Sequence, residues 1–191
     1  MTVALLLLAS YLLGSWNFAI AVLRLGGFPD PRTQHSGNAG TSNVARIAGR
    51  PTAALVLALD LLRSVAVYQV ATRFAAAEAV PWAGLALLLG NRFPLFHRFR
   101  GGKGVATYLG FLGTAEPWLA LAACAAWLVT YLVGKVVAIA SMAMLAVLVA
   151  AAIHAWPRTI PAIAPTVLSA ALILVGHRSN WAALRKSKPA A

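Results

Sequence analysis

Residues 136–156 read VVAIASMAMLAVLVAAAIHAW, a run of 21 residues with no Asp, Glu, Lys or Arg. A helix of this length spans the roughly 30 Å hydrocarbon core of a bilayer. The same character extends over the whole chain, because 61% of its 191 residues are hydrophobic and only 10% are charged. The mean hydropathy is +0.79. This composition excludes an ordinary soluble domain and predicts an all-α integral membrane protein.

Six other apolar segments surround this run, separated by Pro, Gly and charged residues. They are residues 2–23, 52–71, 80–89, 105–113, 118–133 and 160–176. Segments 80–89 and 105–113 are shorter than the roughly 17 residues that a simple span needs. They either extend into segment 92–103 as spans or form a pair of re-entrant half-helices. We predict one polytopic membrane domain over residues 1–191 with seven transmembrane helices, and five plus two re-entrant pieces as the alternative.

The distribution of basic residues predicts the orientation of these helices. No basic residue precedes the first apolar segment, which favours a retained span with the N-terminus outside over a cleaved signal peptide. Segments 24–50 and 92–103, Lys135 and the residues after 176 then lie inside and hold 13 of the 16 Lys and Arg residues. Because basic residues accumulate in cytoplasmic loops, we predict a multi-pass protein whose polar motifs and C-terminus are cytoplasmic.

The formal net charge of +12 is the balance of 16 Lys and Arg against four acidic residues. In a membrane protein this excess indicates contact with anionic headgroups, so membrane lipids are expected partners. Nucleic acid is not an expected partner, because no basic stripe interleaves with aromatic residues on a soluble module. The four His residues and the lone Cys124 lack ligand spacing, so we expect no metal and no cofactor.

The first polar motif is HSGNAGTSNVAR, residues 35–46. Glycines let successive backbone N–H groups turn inward, and the hydroxyl and amide side chains add donors, so the motif is typical of an anion cradle ahead of a helix. Arg46 is suited to bind such an anion with two hydrogen bonds. An ordinary polar turn between two spans is the alternative.

The second polar motif is GNRFPLFHRFRGGKG, residues 90–104. Its last four residues open the next apolar run, so a helix N-terminus and the Lys103 ammonium converge where a phosphate can bind. It is not a nucleotide-binding P-loop, since His97 stands at the first glycine position and Gly104 replaces the magnesium-binding Ser or Thr. For Arg92, Arg98 and Arg100 we favour an interfacial collar paired with lipid phosphates.

Two smaller sets of polar residues complete the pattern. His177 and Asn180 follow the last apolar run and share a helical face, so both can point toward a substrate, or His177 is a bystander at the membrane edge. Asp60 and Arg63 lie three residues apart inside the second apolar segment and can form an ion pair. Such a pair is either functional or a structural contact of the bundle interior.

Together these segments resemble the bacterial acyl-phosphate:glycerol-3-phosphate acyltransferases, the PlsY family. That family's first motif is approximately GSGNxGATNVxR, and its second is approximately GHNFPxFxxFKGGKGVAT, of which residues 101–107 match throughout. Its terminal His-x-x-Asn is matched by His177 and Asn180, and its intramembrane acidic and basic pair by Asp60 and Arg63, with Arg replacing the usual Lys. The resemblance runs in order from Gly14 to about Leu184.

The resemblance implies acyl transfer from an acyl phosphate to glycerol 3-phosphate, giving lysophosphatidic acid and phosphate in the cytoplasmic membrane of a bacterium. Its motifs assign catalytic roles to Ser36, Lys103, His177 and Asn180. They assign phosphate binding to Ser36, Gly37, Asn38, Thr41, Asn43, Arg46, Gly101, Gly102, Lys103 and Gly104. Acyl phosphate is an activated donor, so no acyl-enzyme nucleophile is needed. Which loop holds which phosphate stays open.

The chain departs from the family pattern at four places. Asn91 replaces a His, Arg92 replaces an Asn, His35 replaces a Gly, and the acidic residue expected after Asn180 is missing from residues 185–188. An amide cannot take a proton near neutral pH, so Asn91 cannot replace a general base. The alternative function is therefore a non-catalytic or altered-substrate paralogue that binds phosphorylated lipids at the cytoplasmic membrane surface.

Overall fold

The computed structural model describes residues 2–186, and every regular element in this range is helical. The helices are α1 Val3–Ser15, α2 Phe18–Leu25, α3 Thr41–Phe74, α4 Val80–Arg92, α5 Val105–Ala115, α6 Pro117–Gly134, α7 Val137–Ala155, α8 Ile160–Gly176 and α9 Arg178–Lys186. A single 3-10 turn lies at Leu95–His97, between α4 and α5. The prediction of an all-α fold is confirmed for this part of the chain.

Four helical stretches of the described chain are long and apolar enough to cross a bilayer. They are Val3–Leu25, Thr41–Phe74, Pro117–Gly134 and Val137–Ala155, and α8 with α9 makes a fifth if that bent pair counts as one span. Helix α6 buries only Ala123 and leaves Leu121 and Val129 exposed, as expected for a helix that faces lipid. Helices α4 and α5 have 13 and 11 residues and are the two short apolar segments of the sequence.

Two helix boundaries differ from the prediction. The segment 2–23 is not one helix, because Asn17 Oδ1 accepts a hydrogen bond from the Ile20 N–H at 3.1 Å and begins a new helix. The second apolar segment, predicted from residue 52, follows a break at Gly49, whose φ of 81° and ψ of 174° are not helical, and a short polar helix that begins at Thr41 precedes this break within α3. The polar residues of segment 41–50 suggest a loop when only the sequence is considered. However, Ser, Thr and Asn also favour helix N-termini. Residues 41–50 therefore belong to α3.

Helices α1 and α4 pack with their backbones in direct contact. A Cβ at Gly14 would lie 2.1 Å from the Leu87 carbonyl oxygen, and a Cβ at Gly90 would lie 2.1 Å from the Tyr11 carbonyl oxygen. Small residues allow this close approach between membrane helices. Helix α3 packs on α5, α6 on α7, and α4 on α8. This packing brings the start of α3, the α4–α5 loop and the α8–α9 junction to one end of the bundle.

A small apolar cluster fixes the loop that precedes α3. Leu23 of α2, Ala39 of the loop, and Val44 and Val56 of α3 are all at most 3% exposed and pack together. Burying these side chains holds the 26–40 loop against both helices. The first polar motif therefore rests on an apolar cluster formed by α2 and α3.

Candidate active site

One end of the helical bundle contains a cavity of about 350 Å³. The first and second polar motifs and the α8–α9 junction supply its polar part. The polar side chains that line it are Ser36, Asn38, Thr41, Ser42, Asn43, Arg46, Asp60, Asn91, Lys103, Thr107, Ser141, His177 and Asn180. Its apolar part continues between α5, α6 and α7 along Leu109, Trp127 and Met144. Segments far apart in the sequence therefore converge on one space with a polar and an apolar portion.

Asn43 braces the first polar motif from the first turn of α3. Its side chain is 1% exposed, and its Nδ2 donates to the carbonyl oxygens of Pro31 at 2.8 Å and Gln34 at 3.1 Å. Its Oδ1 accepts from the Ser36 N–H at 3.4 Å. These bonds fold the preceding loop back over the helix start. Asn43 thus uses its amide to shape the motif.

The start of α3 presents several donors to the cavity. Asn43 donates the backbone bond to Gly40 at 2.9 Å, so the N–H groups of Thr41 and Ser42 precede the first helical bond. The Thr41 hydroxyl is buried and has no hydrogen-bond partner among the described residues. Arg46 adds a guanidinium about one turn later. A helix N-terminus, a hydroxyl and a guanidinium together suit a phosphate.

The glycine loop at residues 101–104 lies against the first motif with no room for side chains. The Gly102 N–H donates to the Asn91 carbonyl oxygen at 3.0 Å. A Cβ at Gly101 would lie 2.1 Å from that oxygen, and a Cβ at Gly102 would lie 2.7 Å from the Ala39 carbonyl oxygen. Gly104 has φ of 86° and precedes α5, so it turns the chain into the helix. The loop delivers Lys103 to the cavity beside the N-terminus of α5.

Lys103 is the cation of this loop, and its ammonium donates to Asn180 Oδ1. Burial lowers the pKa of Lys103 to about 8, and the nearby charges of Arg92 and Arg46 contribute in the same direction. A lysine that is desolvated among other cations is costly to keep charged unless an anion joins it. The electrostatics of the cavity therefore favour a phosphate.

His177 lies at the junction of α8 and α9 and is 3% exposed. Its Nδ1 lies 2.9 Å from the Ile173 carbonyl oxygen. A carbonyl only accepts, so Nδ1 donates, and in the neutral ring Nε2 is an acceptor. Burial lowers the pKa of His177, the bond to Ile173 opposes this, and the charges of Lys103 and Arg92 lower it further. A neutral imidazole is the expected form near pH 7.

An ion pair outside the cavity joins the loops that carry the two motifs. Arg32 contacts Asp30 at 2.6 Å, and its Nη1 donates to the His97 carbonyl oxygen at 2.7 Å. The hydrogen bond from Arg32 lowers the pKa of the Asp30 carboxyl. The 26–40 loop is thereby attached to the loop between α4 and α5.

The Asp60–Arg63 pair expected from the sequence forms inside the protein. Arg63 Nη2 donates to Asp60 Oδ1 at 2.8 Å, to Thr107 Oγ1 at 3.2 Å and to Asn91 Oδ1 at 3.4 Å. Its Nη1 donates, at 2.8 to 3.4 Å, to three backbone carbonyls at the end of α1, those of Leu13, Gly14 and Trp16. One guanidinium therefore connects α1, α3, α4 and α5 beneath the glycine loop.

The structure brings together most of the residues that the sequence singled out. Ten of them line the cavity: Ser36, Asn38, Thr41, Asn43, Arg46, Gly102, Lys103, Gly104, His177 and Asn180. Gly37 and Gly101 do not line it. Gly37 donates to Gln34 in a turn, and Gly101 fits tightly against α4. Among the described residues no group of three or more His, Cys, Asp or Glu is placed to hold a metal ion.

Comparison with known proteins identifies the family of this chain. The family model described as glycerol-3-phosphate acyltransferase matches residues 4–187. The chain belongs to the glycerol-3-phosphate acyltransferase family. The glycerol-3-phosphate acyltransferase of Pseudomonas putida strain GB-1 is 42% identical over 178 residues, which cover 92% of each chain. That of Shewanella sediminis strain HAW-EB3 is 38% identical over 184 residues, covering 96% of this chain and 90% of its own.

Two crystal structures of PlsY, an integral membrane glycerol 3-phosphate acyltransferase, share the fold of this family member. The glycerol 3-phosphate form has a TM-score of 0.88 at 32% identity. The lysophosphatidic acid form has a TM-score of 0.84 at 30% identity. Both likenesses cover 96% of this chain and 92% of the solved one. The chain is therefore a membrane protein of the PlsY fold.

The apolar part of the cavity has no signature in the sequence of this glycerol-3-phosphate acyltransferase family member. Leu109, Trp127, Ser141 and Met144 line it from apolar helices, and no local pattern distinguishes them from lipid-facing residues. The sequence indicates Asp60 only as half of an ion pair with Arg63, because its position at the cavity depends on the packing of α3 against α5.

Proposed function

We propose that the protein transfers an acyl group from acyl phosphate to a hydroxyl of glycerol 3-phosphate, giving lysophosphatidic acid and phosphate for phospholipid synthesis. The single observation that carries the proposal is the cavity, in which two phosphate-type cradles adjoin an apolar channel between α5, α6 and α7. Both substrates carry a phosphate, and one carries an acyl chain. A space that is cationic at one end and apolar at the other suits this combination.

The chemistry requires positioning more than it requires a nucleophile on the protein. The acceptor hydroxyl attacks the acyl carbonyl carbon, the C–O bond to phosphate breaks, and the hydroxyl proton leaves with the departing phosphate as hydrogen phosphate. Holding two reactants side by side supplies much of the rate. Cationic and N–H donors that face the developing oxyanion supply a further part. Lys103 and the start of α5 are the donors that we propose for the oxyanion or for one phosphate.

We propose the following roles for the predicted site residues. One phosphate binds the first motif through Ser36, Asn38, Thr41 and Arg46, while Gly37 and Asn43 shape this motif. The other binds Gly102, Lys103 and Gly104, while Gly101 packs the loop against α4. His177 and Asn180 orient glycerol 3-phosphate. Direct contact is supported most strongly for Thr41, whose buried hydroxyl has no partner among the described residues. The contacts of Asn43 and Gly101 support a shaping role for these two residues.

The topology is also a proposal. We propose one polytopic domain with seven spans, of which α4 and α5 are short, an external N-terminus and a cytoplasmic C-terminus in the cytoplasmic membrane of a bacterium. The convergence of both basic motifs at one end of the bundle supports this orientation, since basic residues favour the cytoplasmic side. Membrane lipids are proposed to contact the exposed apolar faces and the basic loops.

A reconstituted assay tests the proposed function. Purified protein in liposomes receives acyl phosphate and glycerol 3-phosphate, and lysophosphatidic acid and released phosphate are measured. We expect turnover that falls about 100- to 1000-fold in Lys103→Ala, as for the loss of one oxyanion donor. Arg73→Ala, which changes a basic residue at the end of α3 remote from the first motif, is the matched control and retains activity.

The outcomes separate the possible explanations. Absence of product with the wild type contradicts the proposed function and favours the non-catalytic paralogue, more so if Asn91→His creates activity. Unchanged activity in both Lys103→Ala and His177→Ala contradicts the site assignment while leaving the reaction in place.

A further inference from the structure

The charged groups that line the cavity are mostly donors, whereas its uncharged Ser, Thr and Asn side chains can both donate and accept. Lys103, Arg46 and the helix N-termini of α3 and α5 suit phosphate oxygens. The hydroxyl groups of glycerol 3-phosphate are different, because each must donate its hydrogen to an acceptor if it is to be held in a buried site. Asp60 is the one acidic side chain among the described residues that line the cavity.

The two carboxylate oxygens of Asp60 have different surroundings. Oδ1 accepts the bond from Arg63 Nη2 at 2.8 Å. Oδ2 accepts no hydrogen bond within the part of the chain that the structure describes. It is also not fully buried, because it is absent from the set of enclosed polar atoms that lack a partner. The side chain is 10% exposed, and Asp60 borders the cavity. Oδ2 is therefore an acceptor that is open to the cavity.

Arg63 fixes the direction in which this carboxylate points. Its guanidinium is 4% exposed and is tied to Thr107 and to backbone carbonyls of α1. A guanidinium held at several points cannot follow a moving carboxylate, so Asp60 is oriented in advance of substrate binding. Thr107 lies in the first turn of α5, so the carboxylate stands close to the helix start that follows Lys103.

We propose that Asp60 Oδ2 accepts a hydrogen bond from a hydroxyl of the acceptor substrate and so positions glycerol 3-phosphate for attack. This inference rests on the proposed function. The phosphate group of the same molecule binds the cationic loops. Asp60 thereby selects a phosphorylated alcohol over inorganic phosphate, which lacks the alcohol groups.

Asp60→Asn tests the role of the open oxygen. Arg63 only donates hydrogen bonds, so the new amide turns its oxygen toward Arg63 and its NH₂ toward the cavity. An acceptor becomes a donor at that point with little change in shape. We expect kcat/KM for glycerol 3-phosphate to fall about 10- to 150-fold, the usual effect of losing a hydrogen bond to a charged group. The KM for acyl phosphate changes less than about threefold, which is within the scatter of substitutions without direct contact.

Inhibition by inorganic phosphate distinguishes this effect from general damage. Removing a negative charge beside an anion site favours the anion, so the inhibition constant of phosphate stays the same or falls in Asp60→Asn. Weaker inhibition by phosphate, or an equal loss of acyl phosphate binding, indicates a collapsed site and overturns the proposal. Glu78→Gln removes an exposed carboxylate between α3 and α4, at the opposite end of α3 from the first motif, and it is the matched control with unchanged activity.

A double variant tests the role of Asp60 in case the single variant does not fold. If Asp60→Asn does not fold, because Arg63 is left without its charge partner, Asp60→Asn with Arg63→Gln removes both charges. The same loss of kcat/KM with retained phosphate inhibition is expected for that pair. If the wild type is active and either variant loses less than threefold in kcat/KM, the role of Asp60 is overturned and the proposed function still stands. An inactive wild type overturns the proposed function and this inference together.

Discussion

Raising the pH above 8 is expected to weaken phosphate binding through Lys103. Burial and the neighbouring guanidinium groups lower the pKa of Lys103 to about 8 in the free protein. The ammonium is charged below this value and neutral above it. A phosphate binds the charged form, so binding above pH 8 requires the uptake of one proton. Affinity is therefore nearly constant below the pKa and falls as the pH rises through it.

The size of the effect follows from this pKa. With a pKa of about 8, roughly ten in eleven Lys103 side chains are charged at pH 7 and one in eleven at pH 9. The dissociation constant of phosphate is then expected to rise about tenfold between these two pH values. Lys103→Arg keeps its charge throughout this range, because a guanidinium does not deprotonate in proteins. Its phosphate affinity stays nearly flat from pH 7 to pH 9.

Calorimetry measures the equilibrium binding of inorganic phosphate to purified protein between pH 6.5 and pH 9.5. Inorganic phosphate is used because acyl phosphate would hydrolyse during the measurement. The second ionisation of phosphate occurs at lower pH and is common to both proteins, so the difference between their curves reports residue 103. Two results contradict the reasoning: no loss of wild-type affinity near pH 8, or the same loss in Lys103→Arg. Either result assigns the ionisation to another group.

Three substitutions test the packing around the site. Gly101→Ala is expected to lower turnover about 100-fold, because its Cβ would lie 2.1 Å from the Asn91 carbonyl oxygen and must displace the Lys103 loop; liposome turnover measures this. Gly90→Ala is expected to cost about 3 kcal/mol of stability by separating α4 from α1, read from thermal unfolding in detergent. Asn91→His is expected to lower stability by about 1–3 kcal/mol without raising activity, since position 91 is buried against Arg63. Adding Arg63→Lys to this variant is expected to restore part of the lost stability.

Gly134→Ala is the matched control for both glycine substitutions, because a Cβ there meets nothing within 4 Å. Normal turnover in Gly101→Ala would show that the loop tolerates displacement. An unchanged unfolding temperature in Gly90→Ala would contradict the close contact of α1 and α4. Higher activity in Asn91→His alone would show that a proton acceptor is missing from the native chain.

The sequence predicts the helical class and most of the site because both depend on local chemistry. Apolar runs between Pro and Gly residues become helices, and ten of the twelve predicted site residues line one cavity. Helix ends are less predictable, since Thr41 and Asn17 are residue types that serve loops and helix starts equally well. Asp60 required the packed structure, because periodicity indicates its partner Arg63 but not the space that its second oxygen faces.

The contact between Asn91 and Arg63 bears on whether the departures from the family pattern imply lost catalysis. The resemblance led us to expect His at position 91 and Lys at position 63, and the two residues present instead contact each other at 3.4 Å. Asn91 is 4% exposed, and its carbonyl oxygen accepts from Gly102. Asn91 and Arg63 thus belong to one buried hydrogen-bond network with Asp60 and Thr107, and the effects of substitutions within such a network are not additive. The Asn91 side chain therefore has a structural partner in Arg63, and the glycine loop is held by the backbone of residue 91, which any residue would supply.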